Sequence, residues 1–117
     1  MRHWARPRSL DDDGADVTVD LHGCSVEEAL YFVDRCLAAA SSAGRHRLHV
    51  IHGLGGTDPL TSIRAALREA IARGQYDDLA VDAIELSGGG KTVFALDSGG
   101  GRLTGRITIN DVLPRQR

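Results

Sequence analysis

The feature that most constrains this chain is a strand followed at once by an amphipathic helix, which occurs twice in succession. Val17–His22 alternates β-branched and polar residues, and Arg47–His52 is a second strand-like segment of the same length. Each run leads through glycine into a segment with apolar residues at helical spacing. Two such units predict an α/β domain in which the two strands run in the same direction.

Short-range signals predict where the two helices begin and end. Ser25 and Glu28 have the spacing of a capping box, in which each side chain accepts the backbone amide of the other residue. Gly44 is a typical C-terminal stop for this first helix. For the second helix, Asp58 is the predicted N-cap and Pro59 the first helical residue.

Two further strands complete the predicted order β-α-β-α-β-β. Leu79–Leu86 and Lys91–Leu96 are strand-like, and the glycine-rich loop Ser87–Gly90 separates them. We expect an α/β fold, more specifically an α+β two-layer sandwich, with a mixed sheet and both helices on one face. The alternation over Arg102–Asn110 predicts an extra C-terminal strand.

The length of 117 residues fits one domain with a tail at each end. Residues 1–15 lack periodicity and are predicted to be a flexible tail, residues 16–96 the domain, and residues 97–117 a C-terminal extension. No apolar run approaches the roughly 18–20 residues that span a bilayer, so no membrane partner is expected. The two cysteines lack the spacing of a zinc site or a disulfide framework, which favours the cytoplasm.

The two strand ends carry the residues best suited to chemistry. Asp20 and His22 close the first strand, and His52 closes the second. Because the C-terminal ends of parallel strands meet at one edge, we expect these three side chains to cluster there. The histidines can act as general base and acid, with Asp20 fixing the tautomer of one imidazole. The alternatives are a divalent metal held by all three residues, or purely structural roles.

Backbone amides and arginines near that edge are candidates for contacts with phosphate. The turn after the second strand places Gly53, Gly55 and Gly56 beside the start of a helix, where N–H groups bind anions. The basic side chains that could line a phosphate track are Arg45, Arg47 and Arg64. The alternative is that these charges are simply solvated. The formal charge of −2 argues against a protein that coats nucleic acid through long-range attraction alone.

Two glycine-rich segments look like nucleotide-binding motifs but fail the spacing rules. A P-loop that ends in Gly90-Lys91-Thr92 requires glycine where Glu85 stands, and a helix where a strand is predicted. A dinucleotide fingerprint that begins at Gly53 requires its third glycine at Asp58. We therefore expect no nucleotide cofactor.

Three short motifs together resemble the small MutS-related (Smr) domain family. Asp20–Gly23, followed by Glu27–Ala29, resembles the motif that opens Smr domains. Val50–Gly55 resembles the His-Gly-x-Gly motif of the family, and Gly88–Val93 resembles its glycine-rich approach to the last strand. The three motifs stand in the order of the family, and the resemblance covers about Asp16 to Leu96.

The resemblance implies a βαβαββ fold, similar to the C-terminal domain of a bacterial translation initiation factor, and binding to DNA or RNA. Some family members nick DNA or cleave RNA, and others only bind. By position, Asp20 and His22 take the catalytic assignment, and His52, Gly53 and Gly55 take the role of the second motif. An endonuclease that nicks DNA or RNA is the leading hypothesis, with a divalent metal as the possible cofactor and a monomer favoured. A non-catalytic nucleic-acid-binding or protein-interaction module is the alternative.

The chain departs from the family pattern at Val19, at Leu54 and over Gly56–Leu60, which is not a clean copy of the usual segment before the second helix. Leu54 stands where lysine is frequent, which removes one expected phosphate contact. Val19 replaces a usual leucine, and Arg64 is the candidate for the basic residue early in the second helix.

Overall fold

The computed structural model describes residues 5–97 and 105–114, and within them it contains five strands and three α-helices. In chain order these elements are β1 (Ser9–Asp12), β2 (Asp16–Asp20), α1 (Val26–Ser42), β3 (Arg47–Ile51), α2 (Ile63–Ala72), β4 (Ala80–Leu86), β5 (Lys91–Leu96) and α3 (Ile109–Val112). A 3-10 turn at Ser87–Gly89 joins β4 to β5. Every helix in the described ranges is too short or too polar to cross a bilayer.

The five strands form one mixed sheet in the order β1-β2-β3-β5-β4. β2 and β3 are parallel, as the first strand–helix unit predicts, and the other neighbouring pairs are antiparallel. β3 and β4, which α2 connects, run in the same direction. They do not pair with each other, because β5 lies between them. The predicted mixed sheet is therefore confirmed.

The core lies between the sheet and its two long helices. Alternate strand residues point into it and are fully buried: Val17, Val19, Leu48, Val50 and Phe94. The helices add further side chains with no exposed surface, among them Phe32, Val33, Leu37 and Leu67. Since α1 and α2 contribute to the same hydrophobic cluster, both lie on one face of the sheet, as predicted.

The first helix begins and ends at the predicted residues. The Oγ of Ser25 accepts the Glu28 amide at 3.1 Å, and a carboxylate oxygen of Glu28 accepts the Ser25 amide at 2.8 Å. After the helix, Gly44 has a φ of 73°, a left-handed conformation that glycine adopts without a Cβ clash.

The second helix begins later than the sequence predicts. Ser62 is its N-cap and accepts the Ala65 amide at 3.2 Å. The prediction that Asp58 caps a helix starting at Pro59 is wrong, because Asp58 instead closes a preceding turn. Its Oδ1 accepts the Leu60 amide at 2.9 Å. The exposed segment between β3 and α2 is lengthened as a result.

The N-terminal segment is partly ordered in the sheet, contrary to the predicted tail over residues 1–15. Residues 9–12 form the edge strand β1, which pairs with β2 in antiparallel fashion. Asp12 holds it in place, because its carboxylate accepts hydrogen bonds from Arg45 at 2.7 and 3.0 Å. The backbone amide of Ile107 donates to the same carboxylate at 2.7 Å. The sequence does not predict β1 because the run Asp11–Asp13 overlaps it, and aspartate is depleted in strands.

The predicted strand over Arg102–Asn110 is wrong in the part that the structure describes. Residues 102–104 lie outside the described residues, and residues 105–108 belong to no strand. Ile109–Val112 forms the short helix α3, which packs against α1. Ile107, one of the apolar residues that suggested a strand, is instead buried in the core with 4% of its surface exposed. Val112, in α3, is also buried there, with 0% exposed.

Candidate active site

The structure brings Asp20 and His22 together at the C-terminal edge of the parallel strands. The chain is held there because the Leu21 amide donates to the Ile51 carbonyl at 2.8 Å. Asp20 Oδ1 accepts the backbone amide of His22 at 3.1 Å and lies 3.2 Å from His22 Nδ1. The two side chains are 21% and 52% exposed, so the pair is open to solvent. Gly23, with a φ of 94°, then turns the chain towards α1.

This pairing suits a general base. When Nδ1 of His22 donates its hydrogen to the Asp20 carboxylate, the lone pair of the imidazole lies on Nε2. The carboxylate then also stabilises the imidazolium that forms if Nε2 takes up a proton. The pair can therefore remove a proton from a water molecule or hydroxyl group at the exposed edge.

His52 does not join this pair, and the expected cluster of three side chains is wrong in that respect. Its side chain is buried, with Nε2 2.8 Å from Thr92 Oγ1 and Nδ1 2.6 Å from the Gly53 carbonyl. The reason is the register, in which Asp20 is paired with Ile51. His52 therefore lies beside Leu21, the buried residue after Asp20, and its side chain faces the helices. The side chain of Asp20 faces the other side of the sheet.

His52 instead fixes the glycine turn that follows β3. Burial lowers the pKa of His52, so the ring stays neutral and donates through one nitrogen while accepting through the other. The amides of His52 and Gly53 both donate to the Gly90 carbonyl at 3.1 Å. The Gly53 amide is therefore not available to a phosphate. Gly55 and Gly56 are exposed, and a Cβ at Gly56 would meet no atom within 4 Å.

Arg45, a predicted phosphate ligand, is a structural residue. Its residue exposure is 6%, and its guanidinium binds the carboxylate of Asp12 through two nitrogens. It also donates to the carbonyls of Ala43 at 2.9 Å and Gly105 at 3.2 Å. The prediction of a phosphate contact is wrong for Arg45, because these buried partners occupy its donors.

The other two predicted arginines lie at different ends of the sheet. Arg47 begins β3, at the end away from Asp20, and its Nε lies 3.6 Å from Asp16 Oδ2. Arg64, in the first turn of α2, reaches the loop between β4 and β5, because a Cβ added at Gly89 would lie 2.8 Å from its Nη1. Its Nε is buried without a hydrogen-bond partner among the described residues. Arg64 thus belongs to the edge that carries the glycine turn, and Arg47 does not.

Two residues that the sequence did not single out help to shape this edge. Thr92 is 1% exposed and is the partner of His52. Glu85 accepts two hydrogen bonds from Arg68, one of them at 2.7 Å, and this contact lowers the pKa of Glu85. Neither contact has a sequence signal, because both depend on how β4 and β5 align with β3 and α2.

Within the described residues, no group of three or more His, Cys, Asp or Glu side chains is arranged to hold a metal ion. Asp20 and His22 offer two donor groups. Mg²⁺ is commonly held by one or two carboxylates together with substrate phosphates and water. A divalent ion at this pair would therefore need further ligands from a bound nucleic acid.

The fold and this edge define a class, namely small two-layer α+β domains with an aspartate–histidine pair where two parallel strands end. The Smr domain model matches residues 19–92. Endonuclease MutS2 of Thermus thermophilus is 40% identical over 79 residues, which span 67% of this chain and only 10% of that relative. The crystal structure of the Smr domain of Thermus thermophilus MutS2 has a TM-score of 0.57 and 36% identity, covering 68% of this chain and 95% of that chain. The chain belongs to the Smr domain family.

Proposed function

We propose that this chain binds DNA or RNA and nicks one strand by hydrolysing a phosphodiester bond. The observation that carries the proposal is the contact of Asp20 with His22, 3.2 Å long, at a solvent-exposed edge of the sheet. The likeness of the chain to the Smr portion of an endonuclease supports the same activity.

In the proposed reaction, Nε2 of His22 accepts a proton from the attacking water. The water oxygen forms a bond to phosphorus, the bond to the leaving oxygen breaks, and that oxygen takes a proton from solvent or from the imidazolium of His22. Asp20 stabilises the imidazolium through Nδ1. A divalent ion would contribute Lewis-acid stabilisation of the phosphate if one binds beside Asp20.

The phosphate backbone is proposed to lie across the glycine turn and the start of α2. The backbone amides of the exposed residues Gly55 and Gly56 would donate to phosphate oxygens, and Arg64 would supply the positive charge. His52 acts as a positioning residue, since it ties this turn to β5 through Thr92.

The test is a nicking assay on supercoiled plasmid DNA and on an end-labelled structured RNA, with magnesium or with chelator. His22→Ala is expected to slow product formation by about 100-fold to 10,000-fold, the usual contribution of a general base. Asp20→Asn is expected to slow it as well, because an amide does not stabilise the imidazolium. The matched control is His46→Ala, which removes an exposed histidine at the other end of β3.

A second candidate is a module that binds nucleic acid without cleaving it. It is favoured by the burial of His52, which leaves one histidine rather than two at the exposed edge. In that case both substrates would shift in a salt-sensitive gel assay, no product would form, and His22→Ala would change nothing but affinity. Nicking that His22→Ala leaves intact would exclude the proposed mechanism.

We further propose that the chain acts as a monomer in the cytoplasm. Asp20 and His22, the pair proposed for proton transfer, contact each other within one chain. Cys24 and Cys36 are free thiols, as expected in a reducing compartment.

A further inference from the structure

The face of the sheet opposite the helices carries both Asp20 and the one lysine of the sequence, Lys91. Phe94 points into the core, so the alternation along β5 places Lys91 on the opposite face. Asp20 is paired with Ile51, and Ile51 with Lys91, so the three lie in one row across β2, β3 and β5. Since neighbouring strands are about 4.8 Å apart, the backbone of Lys91 lies about 10 Å from that of Asp20.

A cavity of about 200 Å³ opens on the same face, and we call it the β5 cavity. Val93 and Ala95, which follow Lys91 along β5 on this face, form its floor. Ile84 and Leu86 of β4 line it with side chains that are 50% and 43% exposed. Because Leu86 is paired with Lys91, the cavity begins directly beside the lysine.

Two opposite charges flank the floor of the β5 cavity. Arg47 and Asp82 are both paired with Ala95, one from each side, so they lie about 10 Å apart across a small side chain. The Arg47 side chain is 59% exposed, although its Nε lies 3.6 Å from Asp16. Asp82 is exposed and accepts the Ala83 amide through Oδ1, which leaves Oδ2 available. The cavity therefore offers hydrogen-bond donors on one side and an acceptor on the other, above an apolar floor.

We propose that the β5 cavity holds an unpaired base of the nucleic acid that the chain nicks, an inference that rests on the proposed function. The base would lie on the apolar floor, with Arg47 and Asp82 hydrogen-bonded to its polar edge. Lys91, between the cavity and Asp20, would contact a backbone phosphate between this base and the bond that is cut.

The proposal specifies the class of substrate. A base within a duplex is stacked on its neighbours, and its Watson–Crick edge is occupied by its partner. Only a base in a single strand, or one turned out of a duplex, can present both its face and its edge to the cavity. The substrate is therefore expected to carry an unpaired nucleotide close to the nicked bond.

The test is an NMR titration of the full-length chain with a five-nucleotide strand of mixed sequence, as DNA and as RNA. The control strand has the same phosphates and an abasic sugar at every position, so it keeps the charge and lacks the bases. We expect at least one of the complete strands to shift the amide resonances of Val93 and Ala95 and to bind at least tenfold more tightly than its abasic control. No shift at these residues with either strand, or equal affinity for the controls, would overturn the proposal. A fully paired duplex that shifts the same amides would overturn the requirement for an unpaired base.

Ala95→Leu fills the cavity from its floor. It is expected to weaken binding of the five-nucleotide strand at least tenfold and to leave affinity for a fully paired duplex unchanged. The matched control is Ala38→Leu, which enlarges an exposed alanine of α1 on the other side of the molecule and should change neither affinity. Tm values of both variants show whether they fold.

Arg47→Gln tests the same site without changing its packing, since the side chain is mostly exposed. It is expected to weaken binding of the five-nucleotide strand at least fivefold, whereas Arg73→Gln removes the same charge at the end of α2 and should not. Unchanged binding in Arg47→Gln and in folded Ala95→Leu would overturn the cavity, even if nicking depends on His22. Weakened binding in these variants of a chain that does not nick would instead support the cavity and overturn the proposed reaction.

Discussion

The two histidines that follow the parallel strands have opposite surroundings and therefore different chemistry. His22 is half exposed beside a carboxylate, so one ring nitrogen can exchange protons with solvent or substrate. His52 has partners on both ring nitrogens, and burial lowers its pKa. We therefore propose that His22 transfers protons and that His52 positions the glycine turn.

Arg68 is a basic side chain whose charge is paired with a neighbouring carboxylate, that of Glu85. Its two hydrogen bonds to Glu85 neutralise it on the same side of α2 as Arg64. Glu85→Gln is expected to release Arg68 for a phosphate contact, raising affinity for duplex DNA and steepening the salt dependence of log Kd by about one unit. Binding measured by fluorescence anisotropy across a salt series checks this.

The matched control for that change is Glu69→Gln. Glu69 pairs with Arg73 at 2.8 Å near the far end of α2, so the substitution makes the same charge change away from the proposed surface. Both exposed pairs contribute little to stability, about 0.2–1 kcal/mol, so neither variant should unfold. An equal gain in affinity for the two variants would show that only net charge matters.

Single residues differ in how far the sequence predicts their roles. Asp20 and His22 could be paired in advance because they are two residues apart on one strand end. His52 could not, because a register difference of one residue decides which face it takes. Arg45 could not either, since its buried partner Asp12 is 33 residues away.

At the scale of elements, β1 depends on one buried ion pair. The side chains of Asp12 and Arg45 are 0% and 7% exposed, and the carboxylate also accepts the Ile107 amide. Asp12→Asn is expected to reduce the free energy of unfolding by about 3–5 kcal/mol, because it leaves the buried guanidinium without a counter-charge. Urea denaturation at pH 7 measures the loss. Asp11→Asn, on the exposed side of the same strand, should cost less than about 0.5 kcal/mol.

The same pair predicts how stability changes in acid. Burial raises the pKa of Asp12, but hydrogen bonds from Arg45, Ile107 and Gly14 outweigh it and bring the pKa to about 2, from 3.8. A carboxyl group with a depressed pKa stabilises the fold fully above its unfolded value, and the contribution is lost as pH falls through the folded value. The wild type should therefore lose a large part of its advantage over Asp12→Asn as the pH falls from about 4 to 2. An advantage that persists unchanged at pH 2 would contradict this assignment.

Elements with complete local signals were the predictable ones. α1 has its capping box at Ser25 and a glycine stop at Gly44, and both lie within two residues of the ends of the helix. β1 lacks such signals, because it is held by Arg45, which lies 33 residues further along the chain. α3 does have a local signal, since the Asp111 carboxylate accepts the Thr108 amide at 2.8 Å in a capping box, but the alternation of apolar residues before it favoured a strand.

At the scale of the whole molecule, the segment that matches the family is shorter than the folded unit. The match covers residues 19–92, whereas Ile107 and Val112 belong to the hydrophobic core. A chain ended after Asp97 is expected to lose about 3–6 kcal/mol of stability, since two large apolar side chains of about 1.5–3 kcal/mol each are removed. Its Tm, compared with that of the full chain, measures this.

The control for the truncation is Asn110→Ala, an exposed change within α3 that should cost less than about 0.5 kcal/mol. A truncated chain as stable as the full one would show that the segment after β5 is not part of the folded unit. The residues proposed for nicking all precede Asp97. Activity of the truncated chain at low temperature, where more of it is folded, would therefore show that the truncation removes stability and not the reactive groups.

The carboxylate of Asp12 receives hydrogen bonds from Arg45 and from Ile107, two residues that follow it by 33 and 95 positions. Opening of β1 at the front of the described chain therefore also releases the segment that leads into α3 at its back. The two ends are therefore expected to fray together as one cooperative unit. Because Ser9 pairs with Asp20 and the Arg8 amide donates to the Asp20 carbonyl at 2.8 Å, a disturbance at either end, such as a fused tag, would also be felt at the edge that carries Asp20 and His22.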